Sequence, residues 1–191
     1  LDALLNSFLL VAVSEMGDKT QLLALVLALR FKKPWAIMAG ILAATLLNHG
    51  VASLLGGWAS SLVSRDVMRY VLAAIFVAFA GWILIPDKDE GGPSHERYGA
   101  FLTTLVTFFL AEMGDKTQLA TIALGAHYQA PVIVTAGTTL GMLASDGLAV
   151  VFGERLTKRI PMRYVRLIAA VTFLAFGIAI LVGAAPGPGA G

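Results

Sequence analysis

Residues 15–22 read E-M-G-D-K-T-Q-L, and the same eight letters return at residues 112–119, 97 positions later. Held at that offset, Pro34 meets Pro131, Gly40 meets Gly137, Gly50 meets Gly147 and Gly56 meets Gly153. A shared M-R-Y-V follows at 68–71 and 162–165 after a small shift. The chain is an internal duplication, and each copy of its motif lies inside a long apolar run.

Outward from the motif, apolar runs bounded by charge, Pro or Gly predict six helices, over 4–29, 35–57, 68–85, 99–125, 132–153 and 164–183. Each is about the length that crosses a hydrocarbon layer of about 30 Å at 1.5 Å per residue. Composition agrees. Of 191 residues 58% are hydrophobic and only 14% are Asp, Glu, Lys or Arg, against about 25% in soluble domains. Mean hydropathy is +0.80. A soluble globule and a disordered chain are both excluded, and the absence of cysteine excludes disulfides, thiolate metal sites and cysteine nucleophiles. With a net charge of +2 there is no nucleic-acid footprint.

The expected fold is all-α and integral to the membrane, with six transmembrane helices. Three spans per unit is an odd number, so the second unit enters the membrane from the opposite side. That makes two inverted three-helix repeats, a plan that recurs in secondary transporters. The expected organisation is a first repeat over 1–85, an acidic loop over 86–98, a second repeat over 99–183 and a disordered tail over 184–191. The chain opens at Leu1 rather than Met, as expected of a trimmed or processed start. Arg30, Lys32, Lys33, Lys88, Arg97, Arg155, Lys158, Arg159 and Arg163 follow helices one, three and five, with Arg166 just beyond. The opposite side offers only Arg65 and Arg69. The positive-inside rule puts the first set in the cytoplasm and both termini outside, in a cell inner (plasma) membrane.

The chemistry follows from where the motif sits. On a continuous helix, Glu15 and Asp18 share a face and Lys19 can reach back to Glu15. Glu15, Asp18, Lys19, Glu112, Asp115 and Lys116 would cost roughly 15–20 kcal/mol if each faced lipid alone. They must face inward, paired, hydrated or bound to an ion. Four carboxylates against two charge-balancing lysines leave a formal −2, which suits one divalent cation or about two protons. Candidate ligands are Glu15, Asp18, Glu112 and Asp115, helped by Thr20, Thr117, Gln21, Gln118 and carbonyls freed near Gly17 and Gly114. An all-oxygen site favours hard ions such as Mg²⁺, Ca²⁺ or Mn²⁺.

Asp146 is a further candidate as ligand or proton relay. Its repeat mate is His49, beside Asn48, where a structural hydrogen-bonding role competes with a metal or proton role. Gly17 and Gly114 are hinge or packing positions, and the glycines at 40, 50, 56, 137, 141, 147 and 153 are expected packing contacts. Trp35, Trp58 and Tyr98 are expected at the membrane interface. No phosphate loop, H-E-x-x-H or nucleophile elbow is present, so an enzyme is not expected.

The doubled E-M-G-D-K-T motif resembles the six-span manganese/calcium cation transporter family, which includes Golgi cation/proton exchangers and bacterial manganese exporters. The resemblance covers nearly the whole chain, and both copies fit the family pattern Glu-x-Gly-Asp-Lys/Arg-Thr/Ser. It implies that Glu15, Asp18, Glu112 and Asp115 bind the cation. It also implies export of Mn²⁺, with Ca²⁺ a second candidate and H⁺ or Na⁺ as counter-ion. No cofactor is implied beyond the transported ion; the partners are the metal, the counter-ion and the lipid membrane. Two other classes stay open on the residues alone. One is a passive divalent-cation channel, the other a non-transporting assembly factor whose buried ion pairs are structural.

Overall fold

Two of the six predicted helices are broken at their centres. The computed structural model describes residues 1–85, 99–152 and 162–185. Its elements are α1 (Asp2–Glu15), α2 (Lys19–Phe31), α3 (Pro34–Ser61), α4 (Arg65–Ile83), α5 (Gly99–Glu112), α6 (Lys116–Tyr128), α7 (Pro131–Phe152) and α8 (Met162–Leu181). Among the described residues every regular element is helical. The expected continuous helices over 4–29 and 99–125 are instead the pairs α1–α2 and α5–α6. Glycine makes the break: Gly17 has φ +81° and Gly114 φ +77°, a left-handed geometry that other residues enter only at a cost.

The turns repeat as faithfully as the breaks. Lys32 and Gln129, 97 residues apart, both end their helices in the left-handed region and donate backbone N–H to Ala28 and Gly125 carbonyls. Each turn leads into a proline that opens the next helix, Pro34 for α3 and Pro131 for α7; proline suits this position because its missing N–H would be unpaired there anyway.

Helices α3, α4 and α7 and residues 163–181 of α8 are each long and apolar enough to span a membrane, while α5 is apolar but shorter. Leu47, Val51 and Leu54 of α3 are exposed, whereas its small and polar Ala44, Thr45, Asn48, His49 and Gly56 are buried. This apolar-out pattern suits lipid as solvent and small residues at helix contacts. At Gly56 a Cβ would stand 1.9 Å from the Ile122 carbonyl oxygen, and at Gly125 2.4 Å from that of Ser53, so α3 and α6 touch backbone to backbone. Gly40 is equally tight against α5, and Gly137 and Gly141 against α1. Gly50 and Gly147 are looser, and Gly153 lies outside the described residues.

α1 packs on α7 and α5 on α3; α6 packs on α3 and α2 on α7; α3 crosses α7, and α4 pairs with α8. Exchanging the first three predicted helices for the second three maps this core onto itself. The outer pair breaks the equivalence, because α4 also packs on α6 and α8 on α1, with no comparable packing on α2 or α5 among the described residues. Phe76, Phe79 and Phe173 fill the α4–α8 seam. Trp35 and Trp58 are exposed near helix ends as expected. Tyr98, the acidic loop and residues 186–191 lie outside the described residues. Ala184 and Ala185 close the end of α8 through N–H bonds to the Ala179 carbonyl.

Candidate cation site

Each broken helix sets its acids on opposite sides of a turn. Glu15 and Glu112 are the last residues of α1 and α5, while Asp18 and Asp115 are the N-caps of α2 and α6. The expectation that Glu15 and Asp18 share one helix face is therefore corrected: no helix runs through them. The break is held by its own residues. Asp18 and Asp115 N–H donate back to the Glu15 and Glu112 carbonyls. Gln21 Oε1 accepts from Gly17 N–H at 2.8 Å, and Gln118 Oε1 from Gly114 N–H at 2.7 Å. Asp115 Oδ1 accepts from Lys116 N–H at 2.8 Å. Gln21 and Gln118, three residues after their N-cap Asp, reach back as the N3 side chain of a capping box does, one residue further, so each break carries the glutamine half of that motif. The letters D-K-T-Q carried that signal inside an otherwise continuous apolar run.

The two breaks meet. Glu15, with no exposure to solvent, accepts hydrogen bonds from Thr20 of α2 at 2.5 Å and from Thr117 of α6. Its mate Glu112 is equally buried, and neither of its carboxylate oxygens has a hydrogen-bond partner. Glu112 lies within electrostatic reach of Glu15, Asp115, Asp146 and Asp18. Asp146 of α7 is fully buried, also without a hydrogen-bond partner, and within reach of Glu15 and Asp18. Four buried carboxylates and the half-buried Asp18, from three stretches of chain, thus lie close enough to interact. Among the described residues no three His, Asp or Glu side chains are drawn together tightly enough to hold a metal ion as they stand.

The lysines depart from expectation. Lys19 Nζ lies 3.6 Å from Asp115 Oδ2, in the opposite half, instead of reaching back to Glu15. With the helix broken, residues 15 and 19 no longer stand one turn apart on a common face. Lys116 is buried, near enough to Glu15 to interact electrostatically, with its Nζ 5.9 Å from the Trp82 ring centroid on α4.

The remaining candidates divide. Asn48 Nδ2 donates to the Phe109 carbonyl at 3.0 Å, and Gln21 Nε2 donates to the Ser145 carbonyl at 3.0 Å. Asn48 and Ser145 are repeat mates, so each half uses the same position to tie a central helix to the opposite motif-bearing pair. His49 is fully buried with no hydrogen-bond partner at either ring nitrogen. Ser145 and Trp82 escaped the sequence reading. The 97-residue offset from Asn48 pointed to the first, and nothing in the sequence pointed to the second.

Comparison with known proteins fits this geometry. The family described as "Divalent cation/proton antiporter GDT1" matches residues 3–91 and 100–187, two stretches whose starts differ by the same 97 residues. The chain is 45% identical over 170 residues to a Vibrio cholerae protein named "Putative manganese exporter", covering 88% of this chain and 85% of that one. It is 30% identical over 203 residues to a GDT1-like protein of Synechocystis, covering 93% and 96%. It is 29% identical over 205 residues to GDT1-like protein 3 of Arabidopsis thaliana, covering 93% and 69%. No solved structure matches. With both halves matched, this chain belongs to the GDT1 family of divalent cation/proton antiporters, which are membrane transporters and not enzymes.

Proposed function

We propose that the chain is a six-span, inverted-repeat antiporter that exports Mn²⁺ from the cytoplasm in exchange for protons, with Ca²⁺ as a second substrate and Na⁺ as the competing candidate counter-ion. The observation that carries this reading is the convergence of Glu15, Asp18, Glu112, Asp115 and Asp146 at two broken helices. The name of the Vibrio cholerae relative supports manganese. In this reading α1–α2 and α5–α6 each make one span with a break at mid-membrane. Broken helices of this kind form ion sites in inverted-repeat transporters, because freed carbonyls and half-helix ends face the centre. The exchange of packing partners between the halves supports the inversion, and the distribution of Lys and Arg supports outward-facing termini in a plasma-type membrane.

The four motif carboxylates bind the ion, Asp146 adds a fifth charge on one side, and Thr20 and Thr117 orient Glu15. Gln21, Gln118 and Asn48 hold the breaks in register, with His49 as the fully buried counterpart of Asp146. Against the four motif carboxylates, Lys19 and Lys116 leave the −2 that a doubly charged cargo or two protons would balance, and Asp146 adds one charge, or one proton, beyond that count. Gly17 and Gly114 are the points about which the half-helices move to draw the acids together.

Transport into reconstituted vesicles tests the proposal, with Mn²⁺, Ca²⁺ and Mg²⁺ supplied separately under imposed proton and sodium gradients. Accumulation of Mn²⁺ against its own gradient, driven by a proton gradient and absent in Glu15→Gln and Asp115→Asn, is the expected result. Flux that only runs downhill would make the protein a channel. No metal flux and no metal binding would leave the acids structural.

A further inference from the structure

The two arginines that run against the positive-inside pattern, Arg65 and Arg69, both line one cavity. It measures about 180 Å³ and lies among the ends of α3, α4, α6 and α8. We propose that this cavity binds an anionic phospholipid, with the lipid phosphate held by Arg65 and Arg69 and an acyl chain laid along Met68, Leu72 and Ile180.

Four observations point the same way. First, among the described residues no carboxylate lines the cavity, and Asp66, the nearest acid in sequence, is exposed and outside the lining. Second, the donors have capacity to spare. Arg69 spends one Nη2 bond on the Tyr70 hydroxyl, at 3.2 Å, with its guanidinium 5.1 Å from that ring, while its buried Nε has no hydrogen-bond partner. Third, the lining is amphipathic, arginine beside Met68, Leu72 and Ile180. A free inorganic anion has no use for that apolar wall, whereas a lipid needs both parts. Fourth, the depth is right. An adjoining cavity of about 290 Å³ shares Ser60 and Gln129 and is lined by Trp58, which is exposed, as is Tyr70; such aromatic rings favour the headgroup level. Guanidinium is the side chain best matched to phosphate, through paired donors in a planar fork.

Bound there, a lipid bridges α4 and α8 to the far end of α6, the half-helix that starts at Asp115. It therefore stabilises the folded protein by mass action. The test uses the purified, delipidated chain in mild detergent, with native mass spectrometry and thermal unfolding as readouts. The probes are phosphatidylglycerol, phosphatidylcholine and inorganic phosphate. The expected result is retention of phosphatidylglycerol and a raised melting temperature with that lipid alone. A basic residue near an anionic lipid is worth about a factor of five, so Arg65→Gln/Arg69→Gln should weaken binding roughly thirtyfold. Lys33→Gln, an exposed cation on the opposite side, should leave it unchanged. Where the double variant does not fold, Arg65→Gln carries the test at an exposed position, with about a fivefold loss. Equal retention of phosphatidylcholine, the same stabilisation by inorganic phosphate, or full binding by the arginine variants would each overturn the proposal.

Discussion

Glu15 and Glu112 occupy equivalent positions 97 residues apart, yet the hydroxyls of Thr20 and Thr117 both donate to Glu15, and Glu112 has no hydrogen-bond partner. The threonines are themselves repeat mates. A symmetric arrangement would give each glutamate one of them, or both in a shared bridge. Here the second half has lent its threonine to the first. Glu15 is thereby held by two donors, and in the proposed reading Glu112 keeps its capacity for an incoming cation. Groups that orient a metal-binding carboxylate usually matter about 10–100-fold for metal affinity. Thr20→Val and Thr117→Val should each weaken Mn²⁺ binding by about that factor, as measured by calorimetry or by competition in detergent, while Glu112→Gln should abolish transport. Wild-type affinity in both threonine variants would remove Glu15 from the binding set.

The breaks depend on a backbone conformation that only glycine adopts freely. A side chain at φ +81° or +77° costs about 1–2 kcal/mol. Gly17→Ala and Gly114→Ala should therefore each lower the thermal midpoint. Gly17→Asn should cost less than Gly17→Ala, because asparagine enters the left-handed region more readily. Equal melting of all three with wild type would show that no break exists at these positions.

Much of this was written in the sequence, and what was not has two causes. The offset of 97 residues exposed the duplication, the apolar runs located the helices, and the cost of charge in an apolar run pointed to the burial of Glu15, Glu112, Asp115 and Lys116. The sequence leaves a kink and a packing role equally open at Gly17 and Gly114, because hydrophobic periodicity is blind to a two-residue turn inside an apolar run. The capping signal of Asp18 and Gln21 was the cue that would have shown it. On a continuous helix the spacing directs Lys19 to Glu15, whereas in the fold it faces Asp115. The asymmetry between Glu15 and Glu112 could not be read at all, since the two octapeptides are identical. It arises from what surrounds them, with His49 in one half where Asp146 stands in the other, and with α4 packed on α6 and α8 on α1, unmatched on α2 and α5 among the described residues.

Close helix contact sets a second, sharper demand on glycine. A Cβ on Gly56 would stand 1.9 Å from the Ile122 carbonyl oxygen, whereas on Gly50 the nearest atom is the Thr135 methyl at 4.0 Å. These positions are less than two turns apart on one helix, so propensity effects are shared. Gly56→Ala should destabilise by about 1–3 kcal/mol, or prevent folding, through overpacking. Gly50→Ala should be near neutral in thermal unfolding. Similar melting for the two would mean that α3 and α6 do not approach as closely as described.

The pair Lys19–Asp115 joins the halves at 3.6 Å, with Asp115 buried and Lys19 a quarter exposed. If the two act as a unit, Lys19→Gln and Asp115→Asn should not add. A cycle read by thermal unfolding should show a coupling of about 0.5–3 kcal/mol. The matched cycle with Lys19→Gln and Glu15→Gln should show less, because the lysine reaches the opposite half. Larger coupling to Glu15 would restore the one-face reading of the motif.

Proton competition gives the antiport proposal a signature that needs no transport measurement. Carboxylates must be deprotonated to bind a metal, so binding releases whatever protons the empty site held. Five acids share the region, and two lysines offset only part of their charge, so an empty site gains by holding protons and a loaded one does not. The sign follows directly: Mn²⁺ affinity should fall as pH falls, with about one to two protons released per ion bound, on the count needed to balance a divalent charge. Calorimetry in buffers of different ionisation enthalpy reads that number. Asp146→Asn should reduce it and leave binding intact if this residue carries a proton, and should weaken binding at every pH if it is a ligand. Binding independent of pH between 5 and 8 would leave no proton to exchange, and the sodium gradient would then be the remaining driving force to test.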